Sequence, residues 1–153
     1  MLVSMEPRTG RERQEDALQR LQLQHAHAWV ASASADGVAH LVPLSYAWDG
    51  RRITLATRPR NPTALNIVAK RRARMALGHT QDVVMIDAEL DAVLPLQDAP
   101  GLAEAYAAQC DWDPRDSVGD WVFITLRPVA IQAWREENEL AGRDIMRGGA
   151  WLL

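Results

Sequence analysis

The fold is decided by residues 28–57, which read AWVASASADGVAHLVPLSYAWDGRRITLAT. Two Asp-Gly pairs, at 36–37 and 49–50, divide this stretch into three strand-like runs at 28–35, 38–48 and 51–57. Asp-Gly between apolar runs is among the strongest short signals for a β-hairpin. The stretch therefore predicts three antiparallel strands in a meander. Pro43 removes a hydrogen-bond donor from the second strand, which predicts that this strand is bulged or lies at a sheet edge.

The rest of the chain predicts three helices and further strands. Helical spacing of Ala17, Leu18 and Leu21 predicts an amphipathic helix at about 10–24. Further helices are expected at 64–70, capped by Thr63, and from about 98 to 110, and further strands at 73–77, 86–92, 121–126 and 128–134. These elements predict a mainly β protein, a six- or seven-stranded antiparallel split β-barrel. We expect one domain over 1–153, with an N-terminal helical segment at 1–25 and a C-terminal tail at 135–153. Truncation of this tail after Leu140 should spare the fold but alter substrate access.

Length and composition limit the class of protein. The chain has 153 residues, 48% of them apolar and 24% charged, which suits one globular domain. It contains no apolar run of the roughly 18 residues that a membrane span needs, and its start, from Met1 to Arg13, is too charged for a secretory signal. The lone Cys110 cannot form an internal disulfide. These features predict a cytoplasmic protein.

The charge is distributed unevenly along the chain. Residues 51–81 hold eight basic residues and no acidic one, whereas the rest holds nine basic and twenty acidic residues, a net charge of −11. A basic patch on an acidic protein favours a local anion site over binding to nucleic acid or membrane. The alternative is that these residues are solvated arginines. The eight are Arg51, Arg52, Arg58, Arg60, Lys70, Arg71, Arg72 and Arg74.

A basic loop leads from the third predicted strand into a helix. Its side chains offer hydroxyls, an amide and guanidinium groups, and the first amides of the helix point to the same place, which is how proteins hold a phosphate. The simpler interpretation of Thr63 alone is a helix cap. The residues concerned are Thr57, Arg58, Arg60, Asn61 and Thr63.

Other chemistries lack a sequence signal. The histidines His25, His27, His40 and His79 have no partner at metal-ligand spacing, so we expect no metal site. The nucleophile elbow, the dinucleotide fingerprint and the P-loop are absent from the sequence. The sequence therefore assigns no catalytic residue.

Several of these motifs, taken in order, carry a family resemblance. They are Asp36, His40, Pro43, Asp49-Gly50, Thr57-Arg58, Asn61-Pro62-Thr63, Asn66 and the strand Arg74-Met75-Ala76-Leu77. This order resembles the pyridoxamine 5′-phosphate oxidase-like family of FMN-binding split barrels, and within it the actinobacterial flavin/deazaflavin-dependent oxidoreductases. The likeness covers residues 25–134.

The resemblance implies a homodimer with FMN or coenzyme F-420 at the subunit interface. The cofactor would lie against Val42, Pro43 and Leu44, with backbone contacts from Leu55 and Ala56, its phosphate at Thr57, Arg58 and Thr63, and Trp134 of one subunit lining the ring held mainly by the other. Many relatives carry Ser-Arg-Lys where this chain has Asn61-Pro62-Thr63, so Arg60, Lys70 or Arg71 would replace the missing lysine. The vitamin-binding motif of the oxidase is absent, which argues against vitamin B6 oxidation.

Two classes of function follow from the resemblance. The first is an oxidoreductase that transfers a hydride between FMN or coenzyme F-420 and a small organic substrate. The second is a non-catalytic flavin or haem binding or storage protein, with His40 or His79 as an axial haem ligand. The six tryptophans favour a homodimer, with core packing as the alternative for Trp29 and Trp121. Trp151 either covers the opening of the site or covers apolar surface.

Overall fold

The computed structural model describes residues 6–153, so residues 1–5 of the predicted N-terminal segment lie outside the described residues. None of the helices in this part of the chain is long and apolar enough to cross a membrane. The helices are α1 (Gly10–Gln22), α2 (Pro62–Lys70) and α3 (Pro100–Gln109). The strands are β1 (His27–Ala33), β2 (Ala39–Ser45), β3 (Ala47–Trp48), β4 (Ile53–Thr57), β5 (Arg72–His79), β6 (Asp82–Pro95), β7 (Val122–Trp134), β8 (Asp144–Arg147) and β9 (Ala150–Trp151).

All strand pairs are antiparallel, which confirms the predicted class of fold. Seven strands follow the order β2-β1-β5-β6-β7-β4-β3, and the short β8 and β9 extend from β7. Since β2 ends this order, Pro43 lies in an edge strand, as predicted.

Both predicted Asp-Gly turns are present, but they belong to two separate hairpins. The first joins β1 to β2, and the second joins β3 to β4. The prediction of one continuous strand at 38–48 is wrong, because the strand divides at Tyr46. The buried hydroxyl of Tyr46 donates to the carbonyl of Arg20 at 2.5 Å. The chain thus passes from one end of the strand order to the other within a single residue.

This division leaves a gap between β2 and β4. The two strands approach each other, yet no strand ladder joins them in the described part of the chain. β3 pairs only with Ile53 and Thr54, so the edge of β4 from Leu55 to Thr57 that faces away from β7 has no strand partner. The barrel is therefore split here, with unpaired backbone on both sides.

The core consists of two apolar clusters. The larger fills the barrel with strand residues such as Val30, Ile86 and Leu126, and α1 adds Ala17 and Leu21 to it, as predicted. Fully burying each large aliphatic side chain contributes about 1.5–3 kcal/mol. The smaller cluster packs α3 against the ends of β4 and β7.

The prediction of two strands at 121–126 and 128–134 is wrong, because β7 runs unbroken through Pro128. Between Asp87 and Ala88 of β6 the partner on β7 changes from Ala130 to Pro128, so Val129 is an extra residue there. A bulge tolerates proline because the ladder is already interrupted at that point.

The C-terminal tail is part of the fold, contrary to prediction. Its hairpin of β8 and β9 pairs with β7 and buries Ile145 and Met146. Trp151 packs against the larger cluster, in line with the interpretation that it covers apolar surface.

An ion-pair cluster ties this tail to the segment before α1. The Glu139 carboxylate accepts from the Arg8 guanidinium at 2.8 Å and from the backbone N–H of Arg135 at 2.8 Å. The bonds from Arg8 hold the pKa of Glu139 down at about 2. The two ends of the described chain are therefore joined through a buried carboxylate.

Candidate cofactor site

A turn between β4 and α2 forms the centre of the site, and we call Thr57 to Thr63 the cradle. Thr57 is buried at the end of β4, and its hydroxyl accepts from the side-chain amide of Asn61 at 3.2 Å. The backbone N–H of Asn61 donates to the carbonyl of Arg58 at 3.1 Å. These two bonds fix the turn, so the strand end and the helix start lie side by side.

Helix α2 begins without a side-chain cap. Its N-cap is Asn61, and Pro62 occupies the first turn, where its fixed φ suits a helix start. The prediction that Thr63 is the N-cap is therefore wrong; Thr63 lies inside the first turn and is buried. The Asn61 side chain bonds to Thr57 rather than to the helix amides. The first amides of the helix, with the positive end of its dipole, suit an anion.

The cradle contains two exposed arginines, Arg58 and Arg60. Among residues 6–153, no Asp or Glu forms an ion pair with Arg58 or Arg60. The Arg58 guanidinium lies over the ring of Trp121, 4.8 Å from its centroid. Gly119 has a φ of +95°, and a Cβ there would collide with this guanidinium. Trp121 thus supports the guanidinium and Gly119 leaves room for it, and no carboxylate among residues 6–153 neutralises this cation.

Trp121 is the end of a row of aromatic rings. It contacts Trp112 with centroids 5.0 Å apart, Trp112 contacts Tyr106 at 6.1 Å, and Tyr106 contacts Phe123 at 5.4 Å. Burial raises the pKa of the Cys110 thiol, near this row, to about 11. Since a thiol is a nucleophile only as the thiolate, Cys110 is inert at neutral pH.

The gap in the barrel leads to the cradle. On one side Val42 and Leu44 are half-buried and Pro43 is exposed. On the other side the side chains of Leu55 and Ala56 are buried, so only their backbone is accessible to a ligand. Ten of the eleven predicted site residues thus lie along the gap and the cradle.

Trp134, the eleventh, lies at the far end of β7. Thr57 pairs with Val122 at the start of that strand, and Trp134 is twelve residues further on. At about 3.3 Å per residue the path between them is roughly 40 Å. Trp134 is therefore not part of the cradle of its own chain, and its contact with a cofactor held by a second copy stays a prediction.

Lys70 and Arg71 do not reach the cradle. They lie at the C-terminal end of the nine-residue helix α2, roughly 12 Å along its axis at about 1.5 Å per residue. Neither residue lies within the cradle, so the structure favours Arg60 over either of them, and which cation replaces the missing lysine stays a prediction. Arg60 itself lies within the cradle.

A cleft of about 600 Å³ opens next to Arg58. Its walls include four prolines and Trp121, which makes them rigid and partly apolar. Sequence reasoning missed Trp121 and Gly119 as site residues; the high tryptophan content was a signal for Trp121, and Gly119 had none. The prolines are Pro59, Pro95, Pro100 and Pro114.

The histidines considered as haem ligands lie apart. His40 is half-buried on β2, and His79 ends β5, where its Nδ1 accepts from the backbone N–H of Gln81 at 3.1 Å. Within residues 6–153, no three His, Cys, Asp or Glu side chains gather where they could hold a metal ion.

An antiparallel split barrel with an uncapped helix start at its gap defines a class of small β-barrel proteins, and comparison with known families specifies it. Residues 14–135 match the family described as pyridoxamine 5′-phosphate oxidase. The chain belongs to this family. Comparison with curated protein sequences gives no match.

Solved structures share the fold at low sequence identity. An F420 reductase is 18% identical, with a TM-score of 0.61 over 72% of this chain and 92% of that one. A pyridoxamine 5′-phosphate oxidase-related, FMN-binding protein from Nostoc punctiforme is 15% identical, with a TM-score of 0.56 over 85% and 84%. An FAD-binding protein from Mesorhizobium loti is 16% identical, with a TM-score of 0.61 over 84% and 96%. These likenesses establish the split-barrel fold.

Proposed function

We propose that the protein binds FMN or coenzyme F-420 in the gap between β2 and β4 and uses it as an oxidoreductase. One observation carries the proposal: two unpaired strand edges meet at an uncapped helix start, beside two arginines without ion-pair partners in the described chain. Membership of the family, and neighbours named as an F420 reductase and an FMN-binding protein, support a cofactor of this type.

In this proposal the cradle binds the cofactor's phosphate. The first amides of α2 and the Thr57 hydroxyl donate to it, and Arg58 and Arg60 neutralise its charge. The backbone of Leu55 and Ala56 meets the polar edge of the ring, while Val42 and Leu44 cover its apolar part. When bound, the ring itself accepts and donates the hydride, so the protein supplies position and a dry surface. This division of work is consistent with a site that has no acid–base pair.

We further propose that the protein is a homodimer. On the outer face of the sheet, Trp29 pairs directly with Pro43 and Ala31 with Leu41. Trp29 is 51% exposed and Leu41 59% exposed, so core packing is wrong as the explanation for Trp29. A second copy would cover this apolar face and would also bring a Trp134 to each cradle.

The cleft beside Trp121 is the proposed entry for the substrate. It adjoins Arg58 through Pro59 and Trp121, and its volume of about 600 Å³ suits a small organic molecule. Rigid proline walls would keep a bound substrate in one orientation.

Spectroscopy and thermal unfolding test this function together. Purified protein is expected to show a flavin or deazaflavin absorbance band, or to acquire one on addition of FMN or coenzyme F-420. A ligand at 100 times its dissociation constant stabilises the folded state by about 2.7 kcal/mol. Haem serves as the comparison: stabilisation by haem alone would support the binding-protein alternative. Tight cofactor binding without reduction by a nicotinamide or other hydride donor would contradict the enzyme proposal.

A further inference from the structure

A second concave site lies at the C-terminal end of α2, and we call it the basic pocket. Its volume is about 310 Å³. Four of its six lining residues are cationic. The six are Lys70, Arg71, Arg72, Glu89, Leu90 and Arg127.

The backbone of the basic pocket is fixed by the end of the helix. Arg71 has a left-handed conformation with a φ of 59°, and its N–H donates to the carbonyl of Ile67 at 2.7 Å. The carbonyl of Arg71 accepts from the N–H of Leu90 at 2.9 Å. The turn that carries Lys70 and Arg71 is thus held against β6 and does not depend on a ligand for its shape.

The sheet adds one arginine from each side of β6. Arg72 of β5 and Arg127 of β7 are both register partners of Glu89. Arg127 approaches Glu89 at only 3.5 Å, and both side chains are 52% exposed. An exposed pair of this kind contributes little to stability. Three separate elements therefore converge on one carboxylate with more positive charge than it can neutralise.

The local charge is +3, from four cations and one carboxylate. No acidic residue in the described chain forms an ion pair with Lys70, Arg71 or Arg72. Basic residues at a helix C-terminus complement its dipole, which accounts for Lys70 and Arg71. The dipole does not account for arginines on two flanking strands. Like charges lining a concave surface raise the local concentration of anions.

We propose that the basic pocket binds the phosphate groups of a small soluble compound. Arginine forks match phosphate oxygens in geometry, and lysine adds a point charge. The ligand is compact because the chain outside residues 51–81 carries a net charge of −11, which repels an extended polyanion. The basic pocket is separated from the cradle by the length of α2, roughly 12 Å. It is a different site from the one proposed for the cofactor.

Pyrophosphate titrated into the ¹⁵N-labelled full-length protein at low salt tests this site. We expect saturable amide shifts at residues 70–72, 89–90 and 127. Arg72→Gln and Arg127→Gln should each weaken binding about tenfold, the scale of a hydrogen bond between charged groups. Glu89→Gln should strengthen binding, because it removes the one carboxylate. The matched control is Arg74→Gln, on the same strand as Arg72 but paired with Asp87 at 3.0 Å, which should leave the affinity unchanged.

Three outcomes would overturn the proposal. They are the absence of saturable shifts at the basic pocket, equal weakening by Arg74→Gln, and co-sedimentation with phosphatidic acid vesicles but no binding of soluble pyrophosphate. Thermal unfolding of each variant checks that it is folded. FMN affinity should be the same in Arg72→Gln as in the wild type, so failure here and failure of the proposed cofactor site are separate results.

Discussion

Replacing Arg58 by Gln removes one charge from the cradle and leaves its backbone in place. Arg58 is exposed, so its bond to a phosphate belongs at the lower end of the range for charged groups, about 1.5 kcal/mol. This corresponds to roughly a tenfold loss of FMN affinity. Riboflavin lacks the phosphate, so its affinity should not change.

Trp121→Leu should weaken the contact between Arg58 and the phosphate indirectly, because it removes the ring on which Arg58 stacks. The stacking of Arg58 on Trp121 is worth about 0.5–1 kcal/mol at an exposed position. Its loss frees the guanidinium and should weaken FMN binding about two- to fivefold. Because Trp121 acts through Arg58, the double variant should bind FMN no more weakly than Arg58→Gln alone.

The assay is a titration followed by FMN fluorescence, which does not depend on the tryptophan that is removed. All four proteins are measured at the same low salt concentration, with riboflavin as the second ligand. Equal FMN affinity in Arg58→Gln and the wild type would refute the assignment of Arg58. A full effect of Trp121→Leu in the Arg58→Gln background would refute the idea that Trp121 positions Arg58.

The remaining predictions concern stability and assembly. Glu139→Gln should lower the free energy of unfolding by about 3 kcal/mol at pH 7 in urea titrations, because its pKa of about 2 lies below the ordinary 4.5. Because the pKa of Glu139 is lowered in the folded state, its carboxylate stabilises the fold fully above pH 4.5. The difference in unfolding free energy between the wild type and Glu139→Gln should therefore fall as the pH drops towards 2. A difference that does not change with pH, or an equal loss in the exposed Glu137→Gln, would contradict the ion-pair account. Trp29→Ser should weaken a dimer by about 2 kcal/mol or more in analytical ultracentrifugation, and a monomeric wild type at micromolar concentration would exclude the dimer. Truncation after Leu140 removes the buried Ile145 and Met146 and should lower stability by about 3 kcal/mol or more, whereas an unchanged melting temperature would show that the tail is dispensable.

Local signals in the sequence predict much of this fold. Asp36-Gly37 and Asp49-Gly50 place both hairpins, and alternating residues along β6 predict its buried face. The Gly148-Gly149 pair, with φ of 59° and 78°, joins β8 to β9, and a Gly-Gly pair is itself a local hairpin signal.

Features that depend on distant contacts were not predictable from local patterns. The break at Tyr46 follows from a bond to Arg20 in another element. The bulge that accommodates Pro128 depends on the register of β6. The stacking of Arg58 on Trp121 joins residues 63 positions apart in the chain. The cradle was predictable because its residues are contiguous in sequence. Trp121, which supports Arg58, was not predictable because it lies far from the cradle in the chain.

A crystal structure of the FMN complex would test the central claim most directly. The account predicts the phosphate within hydrogen-bond distance of the first amides of α2 and of Arg58, with the ring along the gap between β2 and β4. An FMN molecule whose phosphate lies away from the cradle, or whose ring lies away from that gap, would contradict it.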